Sequence, residues 1–194
     1  MKKLLLSTSL VASAMLPSAA HAQAIPAAIV AVVDLEKVQS QCTACQAAAT
    51  ALRSQLTALQ NRSSSLAAPL QTEGKSIQAA VDALNGKEPP AALKARITAF
   101  ETKQQQGQQE LQRQQQQIQR NQAYISQQIQ AKLGPIYQQV MQRRGANVMI
   151  EQGATLANGA TLDVTNDVLT ALNAQLPSVQ TTAPATTQQQ TQGR

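Results

Sequence analysis

The sequence predicts an α+β fold, mostly α. A long antiparallel α-helical hairpin arm projects from a small β-rich body that several copies of the chain share. Three observations predict it. Apolar residues recur at alternating spacings of three and four from Leu35 to Leu84, and again from Leu93 to Val140. A turn-dense stretch, Asn85-Gly86-Lys87-Glu88-Pro89-Pro90, separates the two series. Short β-branched runs lie at either end, so the whole hairpin separates strands that must meet at its base.

The outgoing seam reads Leu35, Val38, Cys42, Cys45, Ala49, Leu52, Leu56, Leu59, Ser63, Leu66, Leu70, Glu73, Ile77, Ala80, Leu84. Alternating three–four spacing averages 3.5 residues, the repeat of a helix that packs lengthwise on another helix. The return seam runs through Leu93, Ile97, Phe100, Gln104, Gly107, Leu111, Gln114, Ile118, Asn121, Ile125, Ile129, Leu133, Ile136 and Val140. Each helix of about fifty residues would reach roughly 75 Å, too long for a compact globule, so residues 35–144 project as an arm. Pro69 has no N–H to give a helix and predicts a kink, with Gly74 close behind. Antiparallel pairing about Glu88 places Gly107 opposite Pro69, and Gly134-Pro135 opposite residue 41. These four residues, Pro69, Gly107, Gly134 and Pro135, are the candidate hinges. Fifteen residues between Gln104 and Gln130 are glutamine, which favours helix and carries no charge.

The first 22 residues read as a secretory signal peptide. Lys2 and Lys3 precede an apolar run, and Ala20-His21-Ala22 supplies the small-residue cut, placed after Ala22. An exported, soluble, periplasmic protein is expected. Removal of the segment takes away the only histidine, which excludes histidine-based triads and most zinc sites. With one Phe, two Tyr and no Trp, the chain lacks the rings that stack nucleic-acid bases, and no nucleic-acid partner is expected. No carboxylate pair, phosphate loop or nucleophile–base set appears, so neither an enzyme nor a cofactor is expected. Residues 35–144 hold 13 Lys and Arg against 6 Asp and Glu. A basic arm attracts acidic partners or an anionic membrane surface through its long-range field, or is simply a solvated helix surface.

The body comprises residues 23–34 and 145–177. Ile29, Val30, Val32 and Val33 read as a strand buried on both faces, and Asp34 caps the first helix. Arg143-Arg144-Gly145 forms a helix stop. Residues 146–151, with Val148 and Ile150, read as a second strand and residues 160–163 as a third. A terminal helix spans residues 168–176. Three short strands and one small helix bury too little alone, so strands pooled from several copies are expected to form the body. Residues 178–194, rich in Thr and Gln, read as a disordered tail.

Cys42-Thr43-Ala44-Cys45 admits several readings: a structural disulfide, two packed thiols, a redox pair or half a metal site. The spacing places it eight residues past Asp34, inside the helix, where a disulfide is awkward. At the arm's far end Leu84, Leu93, Ile97 and Phe100 form either a client-gripping patch or the core that stops the tip fraying.

The ends of the pattern resemble the Skp (OmpH-like) family of periplasmic chaperones for outer-membrane proteins. Ile29-Val30-Ala31-Val32-Val33-Asp34 runs straight into a long helix, and Ala146-Asn147-Val148-Met149-Ile150-Glu151 leads through a loop to Thr161-Leu162-Asp163-Val164-Thr165-Asn166-Asp167-Val168-Leu169. The resemblance covers residues 25–176. It implies a jellyfish-like homotrimer with a β-barrel body and three hairpins around a cavity, holding unfolded outer-membrane proteins without ATP. The arms depart from the family in being Gln-rich rather than Lys- and Arg-rich. The Cys pair and the tail have no counterpart in that function. A structural coiled-coil envelope scaffold is the alternative function, and a thiol redox module using Cys42 and Cys45 a third.

Overall fold

The computed structural model describes residues 26–184. The expected signal peptide, its cut after Ala22, and residues 185–194 of the tail lie outside them. The chain runs β1 (Val30–Val33), α1 (Leu35–Gln41), α2 (Thr43–Asp82), α3 (Ala91–Arg144), β2 (Val148–Glu151), two short 3-10 turns (Gln152–Ala154 and Ala160–Leu162), then α4 (Thr165–Gln175).

β1 is a β-branched run, and its last residue hands over to Asp34, whose carboxylate accepts the Lys37 N–H at 2.8 Å and caps α1. The first helix then stops after two turns. Cys42 takes an extended conformation (φ −65°, ψ 123°) and serves as both C-cap of α1 and N-cap of α2. The Asn173 side chain in α4 accepts the Thr43 N–H at 3.0 Å, satisfying one of the orphan donors at the start of α2. The expectation of one helix running through the cysteines is therefore corrected. Periodicity cannot register the break, because residues 42 to 45 are small or apolar in either arrangement.

α2 and α3 form the antiparallel hairpin, of 40 and 54 residues, or about 60 and 80 Å. Asn85 (φ 48°) and Gly86 (φ 82°) make the reversal in the left-handed region. Gly145 (φ 68°) closes α3, with the Gly145 and Ala146 N–H groups returning to Gln142 and Met141 carbonyls. Both Pro69 and Pro135 lie within unbroken helices, so Pro69 does not divide the outgoing arm. Beyond the break the outgoing seam keeps its expected phase, with Leu52, Leu59, Ser63, Leu66, Leu70, Ile77 and Leu84 all turned inward, and departs from it at two positions. Ala48 is buried rather than Ala49, and Gln55 faces inward while Leu56 is 54% exposed.

The hairpin returns the chain so that β2 pairs parallel with β1, Val30 opposite Val148 and Val33 opposite Glu151. On the other edge of β1, Val32 bridges to Asp163 and its carbonyl accepts the Val164 N–H at 2.9 Å. The third strand expected at residues 160–163 is a 3-10 turn ending in this single bridge. A run so short, directly after Gly159, gains more from the local turn than from a ladder.

The core lies where the arm meets the sheet. Ala31, Val33, Val38, Cys42, Leu133, Ile136, Val140, Val164, Val168 and Leu172 form one buried cluster. Here also the expectation is corrected. One chain buries a continuous core, because the base of the hairpin and α4 cover one face of the sheet. Burial on both faces holds for β1 itself, where consecutive Ala31 and Val32 are 2% and Val33 3% exposed; Ile29 before it is 55% exposed and Val148 on β2 38%.

Candidate functional site

The arm offers the largest surface, and four stations along it carry distinct chemistry. At the tip, Leu93 and Ile77 are buried, and Leu84, Ile97 and Phe100 are half-buried. The Phe100 ring lies over Gly74, 3.4 Å from where a Cβ would stand. These residues pack on one another as the tip core. Leu93 is too buried to grip a client while the hairpin is closed, which corrects its place in a gripping patch. An ion pair with two hydrogen bonds, Arg96 to Glu73 (2.7 and 3.2 Å), ties the helices beside it, and Lys94 pairs with Glu88 in the turn.

At mid-arm, Pro69 and Gly107 face a common cavity of about 250 Å³, lined also by Leu66, Lys103 and Glu110. Gly107 is buried, and a Cβ there would meet Leu66 at 3.6 Å, ordinary van der Waals contact. Arg62 closes one side with a fork onto both oxygens of Glu110, at 2.7 and 2.9 Å. Hydrogen bonding from Arg62 holds the Glu110 carboxyl below its usual range, and Arg96 does the same to Glu73. At the arm's base Gly134 meets open space, and its neighbours Leu133 and Ile136 are in the core against Cys42.

Cys42 and Cys45 form a disulfide across the α1–α2 joint, with Cα atoms 5.1 Å apart. Both are buried, and Cys42 wholly so. The motif therefore stands at a helix N-terminus, where the sequence reading did not place it. Its sulfurs are enclosed by the core, without the access that thiol exchange requires.

The fourth station was not legible at all. Residues 178–184 are ordered, which corrects the first part of the disordered tail. They run from α4 along the arm and bend at Thr181 and Thr182, with Val179, Thr181 and Ala183 half-buried and the residues between them exposed. The side-chain amide of Gln128 pairs with both backbone groups of Gln180, donating to its C=O and accepting from its N–H at 2.9 Å each. Asn121 Oδ1 accepts the Ala183 N–H at 2.9 Å, Gln117 donates to the Ala183 C=O at 3.5 Å, and Gln55 donates to the Thr181 C=O at 3.1 Å. Asn121 is itself buried and takes 2.8 Å hydrogen bonds from Gln117 and to Gln55, crossing the seam. The signal lay in the seam itself, where Asn121 interrupts isoleucines.

In the body, Ile29, Val148, Leu156 and Leu162 are exposed large apolar side chains, and Ile29 and Val148 are neighbours, the Val148 N–H donating to the Ile29 carbonyl. Val30, Val32, Val33 and Ile150 are partly or fully buried by the chain itself. Among the described residues no helix is long and apolar enough to cross a membrane.

The family model described as "Outer membrane protein (OmpH-like)" matches residues 29–172. Among solved structures, the chain is similar to the crystal structure of a putative outer membrane chaperone (OmpH-like) from Caulobacter crescentus CB15. The TM-score is 0.69 at 17% identity, covering 85% of this chain and 95% of that one. No curated protein matches.

Proposed function

This chain belongs to the OmpH-like family of outer-membrane-protein chaperones, and we propose that it is an ATP-independent periplasmic holdase. It holds unfolded outer-membrane proteins between helical arms and keeps them from aggregating. The observation that carries this reading is the hairpin: two helices of 40 and 54 residues joined to the body only at their base. Such an arm has two long lateral surfaces, which suit many weak contacts with an extended client. Lys75, Lys87, Lys103 and Arg113 have no carboxylate within salt-bridge distance among the described residues. Their field supports capture of acidic segments and passing contact with an anionic membrane surface.

The assembly is a homotrimer in this reading. The exposed Ile29, Val148, Leu156 and Leu162 support a shared body, since large apolar side chains left in water on a small domain favour association. Three hairpins leaving one body would then enclose a cavity. Pro69 with Gly107, and Gly134 with Pro135, are proposed as its hinges. The test is suppression of aggregation of a denatured porin by near-stoichiometric mature protein at low salt. Failure to bind any such client would favour a coiled-coil scaffold of the envelope instead.

A further inference from the structure

We propose that the amide stripe of Gln55, Gln117, Asn121 and Gln128 is a binding groove for the backbone of an extended client polypeptide, and that residues 178–184 occupy it as a displaceable strap. The proposal rests on the holdase reading and names where on the arm a client segment is held.

The first support is what the groove reads. Five backbone groups of the strap, the N–H and C=O of Gln180, the C=O of Thr181, and the N–H and C=O of Ala183, are met by side-chain amides. Among the described residues one hydrogen bond alone goes to a strap side chain, from the Tyr124 hydroxyl to the Gln180 amide oxygen at 3.2 Å, while Val179 packs against the core. A carboxamide offers a donor and an acceptor side by side, as a neighbouring β-strand does. Recognition of this kind selects extended conformation and is indifferent to sequence. The inward side chains need only be of modest size, as Val179, Thr181 and Ala183 are.

The second support is the match of repeats. Gln128 holds residue 180 and Asn121 holds residue 183. Seven helical residues advance about 10.5 Å at 1.5 Å each, and three extended residues advance about 10 Å. A fully extended client would thus meet the stripe once every three residues, whereas the strap bends at Thr181 and Thr182 between its two holds. The stripe continues one heptad further to Gln114, beside a shallow groove of Gln55, Ala58, Leu59 and Ile118. The surface is longer than the strap that the structure shows on it.

The third support is weakness. Between Pro177 and Pro184 the strap buries no large side chain beyond half of Val179, so hydrogen bonds that water could replace are its main hold. A tethered strap of this kind competes by its high local concentration rather than by affinity.

The experiment compares the full mature chain with a chain ending at Pro177, using denatured porin as the probe and fluorescence to read affinity. Removal of the strap should tighten binding on the order of fivefold, the gain for a site otherwise open about a fifth of the time. Gln128→Glu in the shortened chain, which sets a carboxylate against a backbone carbonyl, should abolish that gain. In the full chain, amide exchange at Gln180 and Ala183 should quicken when porin saturates the protein. Equal porin affinity of the two chains, or amides that stay protected with porin bound, overturns the groove and leaves the holdase reading standing. No porin binding by either chain overturns the holdase reading, and this proposal with it.

Discussion

The backbone N–H of Asp34 donates to the hydroxyl of Thr165 at 2.9 Å, across 131 residues of sequence. Thr165 is almost wholly buried, and its own N–H donates to Asp163 at 2.8 Å. The hydroxyl and N–H of Thr165 hold the Asp163 carboxyl below its usual range. The arm therefore leaves the body at a point where both ends of the chain are joined. Thr165→Val keeps the shape and leaves the part-buried Asp34 N–H without its partner. The expected loss is about 1–3 kcal/mol, read as a lowered urea midpoint with unchanged slope.

The disulfide joins residues 42 and 45 across a break between two helices. Its loop is so short that cross-linking contributes about 2 kcal/mol at most by chain entropy. Cys42→Ala with Cys45→Ala should lower the melting temperature by several degrees and leave suppression of porin aggregation intact. A folded double variant that no longer protects porin would restore the redox reading.

The ion pairs of the arm give it an acid limit. Glu73 and Glu110 have carboxyl groups held below the ordinary range by Arg96 and Arg62. A lowered folded-state pKa stabilises above the unfolded value and loses that contribution as pH falls through the folded one. Arm helicity followed by circular dichroism should thus hold constant from neutral pH to about 4.5 and then decline. Both pairs are solvent-exposed, so 1 M salt should flatten the decline. A decline unaffected by salt would point away from these pairs.

Pro69 and Gly107 share one cavity across the seam. An alanine at 107 fits against Leu66 at 3.6 Å, and alanine at 69 restores a helical N–H. Pro69→Ala with Gly107→Ala should stabilise the arm by about 1 kcal/mol or more and narrow the spread of spin-label distances between arm tips. Distributions of unchanged width would remove the hinge.

The arm was legible from sequence because a seam writes itself every three or four residues for a hundred residues. What escaped depended on contacts between distant segments. The break at Cys42 is capped by Asn173 from α4, which no local pattern can supply. Gln55 rather than Leu56 stands on the seam, where Asn121 opposite donates to it. Residues 178–184 have no apolar pattern of their own; their order comes from amides in the middle of the arm. Glutamine counted as composition concealed glutamine acting by position.

The body separates two residues that the sequence treats alike. Val32 and Val148 are both β-branched strand residues, yet Val32 is 2% exposed within one chain and Val148 38% exposed. Val32→Asp sets an uncompensated carboxylate inside the chain's own core, where desolvation disfavours it strongly. The body should unfold at any concentration, while helix in the outer arm persists. Val148→Asp sets its charge at an exposed strand position beside Ile29. The single chain tolerates that charge in water; a shared body that covers the same face does not. Sedimentation of this variant at micromolar concentration should give a folded monomer, with native circular dichroism, whereas the proposed assembly requires the unaltered mature protein to sediment as a trimer. It should also lose porin protection, since a cavity needs more than one arm. An unaltered protein that is itself a folded monomer would overturn the shared body and the cavity together. A Val148→Asp variant that remains trimeric would move the interface away from this face.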